Sequence, residues 1–343
     1  MMMRRMIVLF AMVVLTLASA ACALAAEAPA PKPEELVSDG KPILTKAGYK
    51  IYTKWPFDAK EAKRRQEETA KALGIPVEKT VKLPHNIEMK FVLVPAGEFI
   101  MGSPKTELKR NDDETQHRVR ITTPYYLGKY EFRQGAWIMG RMQGGKFAKN
   151  RSYENDWKKP VEQASWKDAA ITLLHLNRRG LGLFTLPTEA EWEFACRAGT
   201  PTPFSFGETI SHEQANYDSN SVYGKGKKGK PRMKTVRGGS LPANAFGLHE
   251  MHGNVWEWCY DFYDKDLHKT GPKPDAAGVK TGPVINPIGP KAGTHHVARG
   301  GSFAIFGVET TRSASRMAYP TGRRGRCVGF RLVLRTLKPA PKK

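Results

Sequence analysis

Asn254 and Glu257 are the residues of this chain whose type and spacing most directly suggest metal chemistry. They stand three positions apart in Gly253-Asn254-Val255-Trp256-Glu257-Trp258. Gly253 lets the backbone turn, because a residue without Cβ tolerates positive φ. Trp256 and Trp258 alternate as on a strand, with Glu257 facing the other way. Hard oxygen donors on a tight turn suit Ca²⁺, which also accepts backbone carbonyls. A second reading of the same residues stays open: Asn254 caps the turn, and Glu257 pairs with one of the many basic side chains.

Other chemistries find less support. Beyond the export signal described below, the chain keeps Cys196, Cys259 and Cys327, an odd number that allows at most one internal disulfide. No CxxC pair and no Cys/His set at zinc spacing occurs, which speaks against a structural zinc site. His249 and His252 flank the same turn, but Gly253 argues against the helical spacing that a transition-metal pair would need. His295 and His296 lack an acid at informative spacing and read as exposed loop histidines. Asp112, Asp113 and Glu114 read as solvated carboxylates in a polar loop. GxSxG, HExxH and phosphate-loop patterns are absent.

The elements that must position these residues carry readable signals. Residues 89–94, 118–121 and 125–130 read as strands, with a turn at Pro95-Ala96-Gly97. Asp58, with Glu61 after it, opens a helix that runs to Leu73 and stops at Gly74. Its apolar face (Ala59, Ala62, Ala70, Leu73) is thin and predicts a surface position. Ser165 with Asp168, and Thr188 with Glu191, cap two further helices. Trp192, Ala195 and Cys196 share one face of the last helix, which predicts a core role for Cys196. The 32 Gly, 24 Pro and 7 Trp predict a loop-rich domain, not a helical bundle.

Composition points to the compartment and the partners. A 40% hydrophobic content supports a packed core, and a net charge of +22 favours an anionic partner such as an acidic polysaccharide or anionic lipid. Residues 224–234 form a lysine-rich loop without the aromatic interleaving that base stacking uses. No nucleic-acid motif is present, so a nucleic-acid partner is not expected. Residues 1–25 read as a signal peptide: Arg4 and Arg5 precede an apolar run too short to span a bilayer comfortably, and Ala23-Leu24-Ala25 fits cleavage. Cys22 follows a poor lipobox; lipidation there would attach the protein to a membrane. The mature protein is expected in the periplasm, the cell envelope or outside the cell. The expected organisation is signal 1–25, linker 26–41, helical N-terminal appendage 42–85, main domain 86–336 and basic tail 337–343.

Five ordered segments then resemble the formylglycine-generating enzyme, or sulfatase-modifying factor, family. They are Val94-Pro95-Ala96-Gly97-Glu98-Phe99, Leu186-Pro187-Thr188-Glu189-Ala190-Glu191-Trp192, Asn244-Ala245-Phe246-Gly247-Leu248 with the turn at Asn254, Arg299-Gly300-Gly301-Ser302, and Val328-Gly329-Phe330-Arg331. The resemblance implies an α+β, loop-rich, C-type-lectin-like domain with a few short helices and small antiparallel sheets. It implies calcium at Asn254 and Glu257, and a second calcium site near Asn216 whose acidic partner is not evident here; Asp218 is a candidate substitute. Active members of the family oxidise a substrate cysteine with Cu(I) on two thiolates, which soft copper prefers. In this chain the matching positions hold Ile305 and Thr310, or Val308 in a shorter register, so copper is not expected. Ser302 and Arg316 match substrate-binding positions; a turn hydroxyl and a surface ion pair are their competing roles. The expected function is a calcium-stabilised module that binds or scaffolds a peptide, protein or polyanion. The alternative is an oxidase with non-standard metal ligands.

Overall fold

The computed structural model describes residues 41–266, 282–304 and 307–336. The export signal, most of the linker, the basic tail and Ile305 lie outside the described residues. In chain order the strands are β1 (Ile43–Leu44), β2 (Lys50–Ile51), β3 (Glu78–Leu83), β4 (Ile87–Val94), β5 (Gly97–Met101), β6 (His117–Ile121), β7 (Tyr125–Gly128), β8 (Phe184–Thr185), β9 (Trp256–Phe262), β10 (Val284–Ile285), β11 (His295–Arg299), β12 (Arg316–Pro320), β13 (Val328–Gly329) and β14 (Val333–Arg335). The helices are α1 (Ala59–Leu73), α2 (Gln134–Gly140), α3 (Trp166–Arg178) and α4 (Glu189–Arg197), with a 3₁₀ turn at Val308–Thr311.

The central sheet runs β3-β4-β7-β14-β8, all neighbours antiparallel. The last strand in sequence, β14, sits between β7 and β8, so the end of the domain is locked into its middle. On β4, alternate side chains feed opposite faces, as the two-residue period of a strand requires. Phe91 and Leu93 join the core that contains Trp137 of α2 and Ala169 of α3. Val92 and Val94 join the core that contains Trp192 and Phe194 of α4 and Phe99 of β5. A second sheet runs β12-β11-β9-β13 and a third β10-β6-β5. The family expectation of antiparallel sheets is corrected at two places, since β13 runs parallel to β9 and β10 runs parallel to β6.

Capping signals translate directly into structure. Ser165 and Asp168 form a full capping box, as do Thr188 and Glu191. At α1 the Asp58 carboxylate accepts the Glu61 N–H at 2.8 Å, and Gly74 ends the helix in the left-handed region. The Glu61 side chain does not close the box; it pairs with Arg64 and Arg65.

The N-terminal part is not a separate appendage. β3 pairs with β4 over six residue pairs, inside the span expected to be apart. α1 lies at the surface, as expected, but the face that docks it is not the apolar one alone. Gln66 is buried and donates to the carbonyls of Leu93 and Phe246, and Arg65 lies 4.0 Å from the centre of the Phe57 ring. The docking face is polar and aromatic-stacking, which a count of apolar positions does not register.

Two further expectations change. His296 is not an exposed loop residue: it lies on β11, 1% exposed, stacked between Trp166 at 4.0 Å and Phe262 at 4.1 Å. Glu114 is not solvated, since both its oxygens meet Arg312 at 2.7 Å, and Arg312 is itself buried.

Candidate functional site

The turn at Asn254 is built by steric necessity. Gly253 has φ +87, and a Cβ there would stand 2.2 Å from the Asn216 carbonyl oxygen. The turn presses onto that backbone, and the Asn254 N–H donates to the same carbonyl at 2.7 Å. Asn254 Oδ1 accepts from Asn216 Nδ2 and from the Val236 N–H, each at 2.9 Å, while its Nδ2 donates to Glu131 at 2.5 Å. One strand residue pair on, Glu257 accepts from Arg331 at 2.6 and 2.5 Å and from the Trp192 indole at 2.6 Å. Asn254 caps and Glu257 pairs with a cation, as the second reading of the sequence has it.

The acid beneath the turn was not legible in the sequence. Burial, with Glu257 and Glu250 nearby, holds the Glu131 carboxyl well above the usual range. Glu250 accepts the Gly239 and Leu241 N–H groups, yet burial still pushes it up to about 7. Arg331 is the guanidinium that faces all three carboxyls. As placed, Glu257 serves Arg331 and does not fit a calcium ion together with Asn254 alone. What suits a hard cation is Asn216 Oδ1, a buried oxygen with no hydrogen-bond donor, beside Asn254. Asp218, the possible stand-in acid, turns to the Asn220 N–H at 3.2 Å. Among the described residues no three His, Cys, Asp or Glu side chains converge on a metal position. His249 and His252 diverge, one against the Leu241 carbonyl and the other against the Thr311 carbonyl.

A small cleft opens beside the Ser302 loop. Tyr153, Glu162, Met233, Lys234, Phe303 and Arg326 are among its walls. Phe303 follows Ser302 in the chain and Arg326 precedes Cys327, so the cleft adjoins the position where the sequence places its substrate-binding serine.

A family model described as the sulfatase-modifying factor enzyme 1-like domain matches residues 77–336. This chain belongs to the sulfatase-modifying factor family. Its start at residue 77 places β3 within the family domain, in line with the β3–β4 pairing. The chain is 34% identical over 150 residues to the formylglycine-generating enzyme of Thermomonospora curvata, covering 42% of this chain and 44% of that one. It is 33% identical over 175 residues to the serine/threonine-protein kinase pkn1 of Chlamydia caviae, covering 51% of this chain and 24% of that one. It therefore spans less than half the length of either relative. Among solved structures, PvdO from Pseudomonas aeruginosa superposes with a TM-score of 0.58 at 25% identity, over 75% of this chain and 98% of that one. Treponema denticola variable protein 1 gives 0.57 at 24%, over 76% of this chain and 100% of that one, a likeness of fold. The α+β, C-type-lectin-like architecture follows from these neighbours and from the mixed sheets described above.

Within this sulfatase-modifying factor domain, the positions that would carry copper hold no thiol. Val308 is fully buried against Phe204 and Tyr223, and the Thr310 hydroxyl donates to the Gly307 carbonyl at 2.8 Å. Cys327 is buried beside Ser302, and burial raises its thiol. Ser302, 2% exposed, accepts the Ala304 N–H at 3.4 Å, a turn hydroxyl. Arg316 is not free for substrate: its guanidinium holds Glu189 at 2.6 and 2.9 Å and donates to the carbonyls of Asp113 and Asp264. The pair is buried, not at the surface. The residues present do not fit a two-thiolate copper centre.

All three described cysteines are free and buried. Cys196 Sγ lies 3.7 Å from His252 Nε2, a distance that invites comparison with a nucleophile–base pair. Burial pushes the thiol up to about 12 and the imidazole down to about 4, so both groups are neutral at pH 7. A neutral thiol is a poor nucleophile, and Cys196 is a core residue as its helical spacing predicts.

Proposed function

We propose that this family member works as a binding or scaffolding module that has given up copper-dependent cysteine oxidation. The observation that carries the reading is the thiol-free segment after Ser302. Thr310 and Val308 cannot ligate or activate Cu(I), and the lone Cys327 cannot supply a two-thiolate site. The cleft beside Ser302 survives as a candidate ligand site, with apolar walls and charged groups at its margins. Calcium belongs to the proposal as a stabilising ion at the Asn216–Asn254 contact, supported by the unpartnered Asn216 oxygen. Export, with the protein free in the periplasm or outside or attached to the envelope through Cys22, is part of the same proposal. It rests on the N-terminal sequence pattern.

The direct test is oxidation of a cysteine peptide. The purified mature protein, supplied with copper under air, is mixed with a sulfatase-type peptide containing cysteine and followed by mass spectrometry. An active family member serves as control. The expected result is no aldehyde product. Conversion of the cysteine to an aldehyde would overturn the proposal and restore an oxidase that uses other ligands.

A further inference from the structure

Glu162 stands out among the buried acids that the binding reading has not used. It is 2% exposed and lines the cleft beside Ser302. Its Oε1 accepts the Tyr153 N–H, while Oε2 has no hydrogen-bond partner. A buried carboxylate oxygen without a donor is costly, because the group loses its water and gains no bond in return. Glu162 is a lining residue of the cleft, so a ligand that enters there and brings a donor to the buried oxygen offsets that cost.

The charged groups around Glu162 define which donor. The charges of Glu154, Lys159 and Arg326 all act on it, and Glu154 is itself held by Lys159. Arg326 lies over the Phe303 ring at 5.7 Å, and Lys234 completes the basic margin. A polybasic run would meet these cations and be repelled. A single free acceptor atom suits an ammonium, a compact point donor, better than a guanidinium, which prefers two parallel bonds. Met233, 48% exposed, and Phe303 offer apolar surface for the stem behind the nitrogen.

We propose that this cleft receives a single ammonium group on an aliphatic stem, the nitrogen donating to Glu162 Oε2. The proposal rests on the binding-module reading and names the chemistry of its ligand. Burial, reinforced by Glu154, raises the Glu162 carboxyl to about 7, and an arriving cation favours its ionised form.

The test is a calorimetric titration of the full mature protein at pH 8 with three probes. N-acetyl-lysine N-methylamide carries the ammonium on a peptide unit. N-acetylnorleucine N-methylamide keeps the stem without the charge. Pentylamine carries the ammonium without the peptide. Expected is at least tenfold tighter binding of the lysine probe than of the norleucine probe. That selectivity should collapse in Glu162→Gln, whose melting temperature at pH 8 should be no lower than that of wild type. Met233→Lys, which adds a cation and removes apolar surface at an exposed position, should weaken the lysine probe more than the norleucine probe. Pentylamine binding as tightly as the lysine probe assigns the site to a free amine; weaker binding assigns it to a peptide lysine. Equal affinity for lysine and norleucine probes, no binding of either, or selectivity that survives both substitutions would overturn the proposal. Failure of the parent reading shows separately, as aldehyde formation in the oxidation assay.

Discussion

Single residues in this protein titrate against their surroundings in opposite directions. His252 and His296 are pushed down to about 4 by burial, so each is held neutral in the fold. Their contribution is present above the free histidine range and is lost as pH falls from about 6.5 toward 4. Glu162 and Glu250 are pushed up to about 7. A raised carboxyl favours the protonated fold. Its contribution is present below the ordinary glutamate range and lost as pH rises from about 4.5 to 7. The two sets oppose one another over the same window. Glu162→Gln, which fixes the neutral form, should therefore be more stable than wild type at pH 8 and lose that advantage at pH 5. Urea midpoints at the two pH values measure it; an advantage equal at both would show that Glu162 is not buried as an acid.

At the scale of elements, the join between the Asn254 turn and β9 is held by a buried ion pair. Arg331, on the segment between β13 and β14, reaches Glu257 on β9 and donates also to the carbonyls of Gly128 and His249. One guanidinium thus ties three segments together. Breaking a buried pair leaves an uncompensated charge, which costs about 3–5 kcal/mol, whereas replacing both partners by apolar groups is far less costly. Glu257→Gln should destabilise by about that amount, and addition of Arg331→Met should recover most of it, read from urea denaturation. The calcium proposal makes an independent prediction. EDTA should lower the melting temperature of the wild type, and Asn254→Ala should remove that sensitivity, because an ion bound only to the fold stabilises it by mass action. A melting curve indifferent to EDTA and to added Ca²⁺ would remove calcium from the account.

Over the whole molecule, charge is divided between an interior of matched pairs and a basic surface. Arg120, Arg197, Arg299, Arg312 and Arg331 are fully buried, each against a glutamate. Because those pairs are matched, they do not absorb the net +22 of the chain. The excess is carried elsewhere, and the exposed Lys225, Lys227, Lys228 and Lys230 concentrate part of it on one loop. We propose that this loop contributes to binding a polyanion. Neutralising the four lysines to glutamine should shift elution from a heparin-type resin to lower salt; unchanged elution would assign the loop no role in polyanion binding. Among the described residues no helix is long and apolar enough to cross a membrane.

The sequence by itself determined what depends on local physics and on chemistry that must be spelled out in residues. Helix caps at Ser165 and Thr188, the need for glycine at 253, and the absence of thiols after Ser302 could all be read from spacing and type. The ordered motif segments also carried the family and with it the fold. Only the tertiary structure decided what depends on residues far apart in the chain. Glu257 became a partner of Arg331, 74 positions on. Glu114 was claimed by Arg312, 198 positions away, and His296 was slotted between two rings from other segments. Polar docking faces such as that of α1 leave no apolar periodicity to detect. A buried carboxylate such as Glu162 looks like any surface acid until the strands and loops that strip away its water are in place.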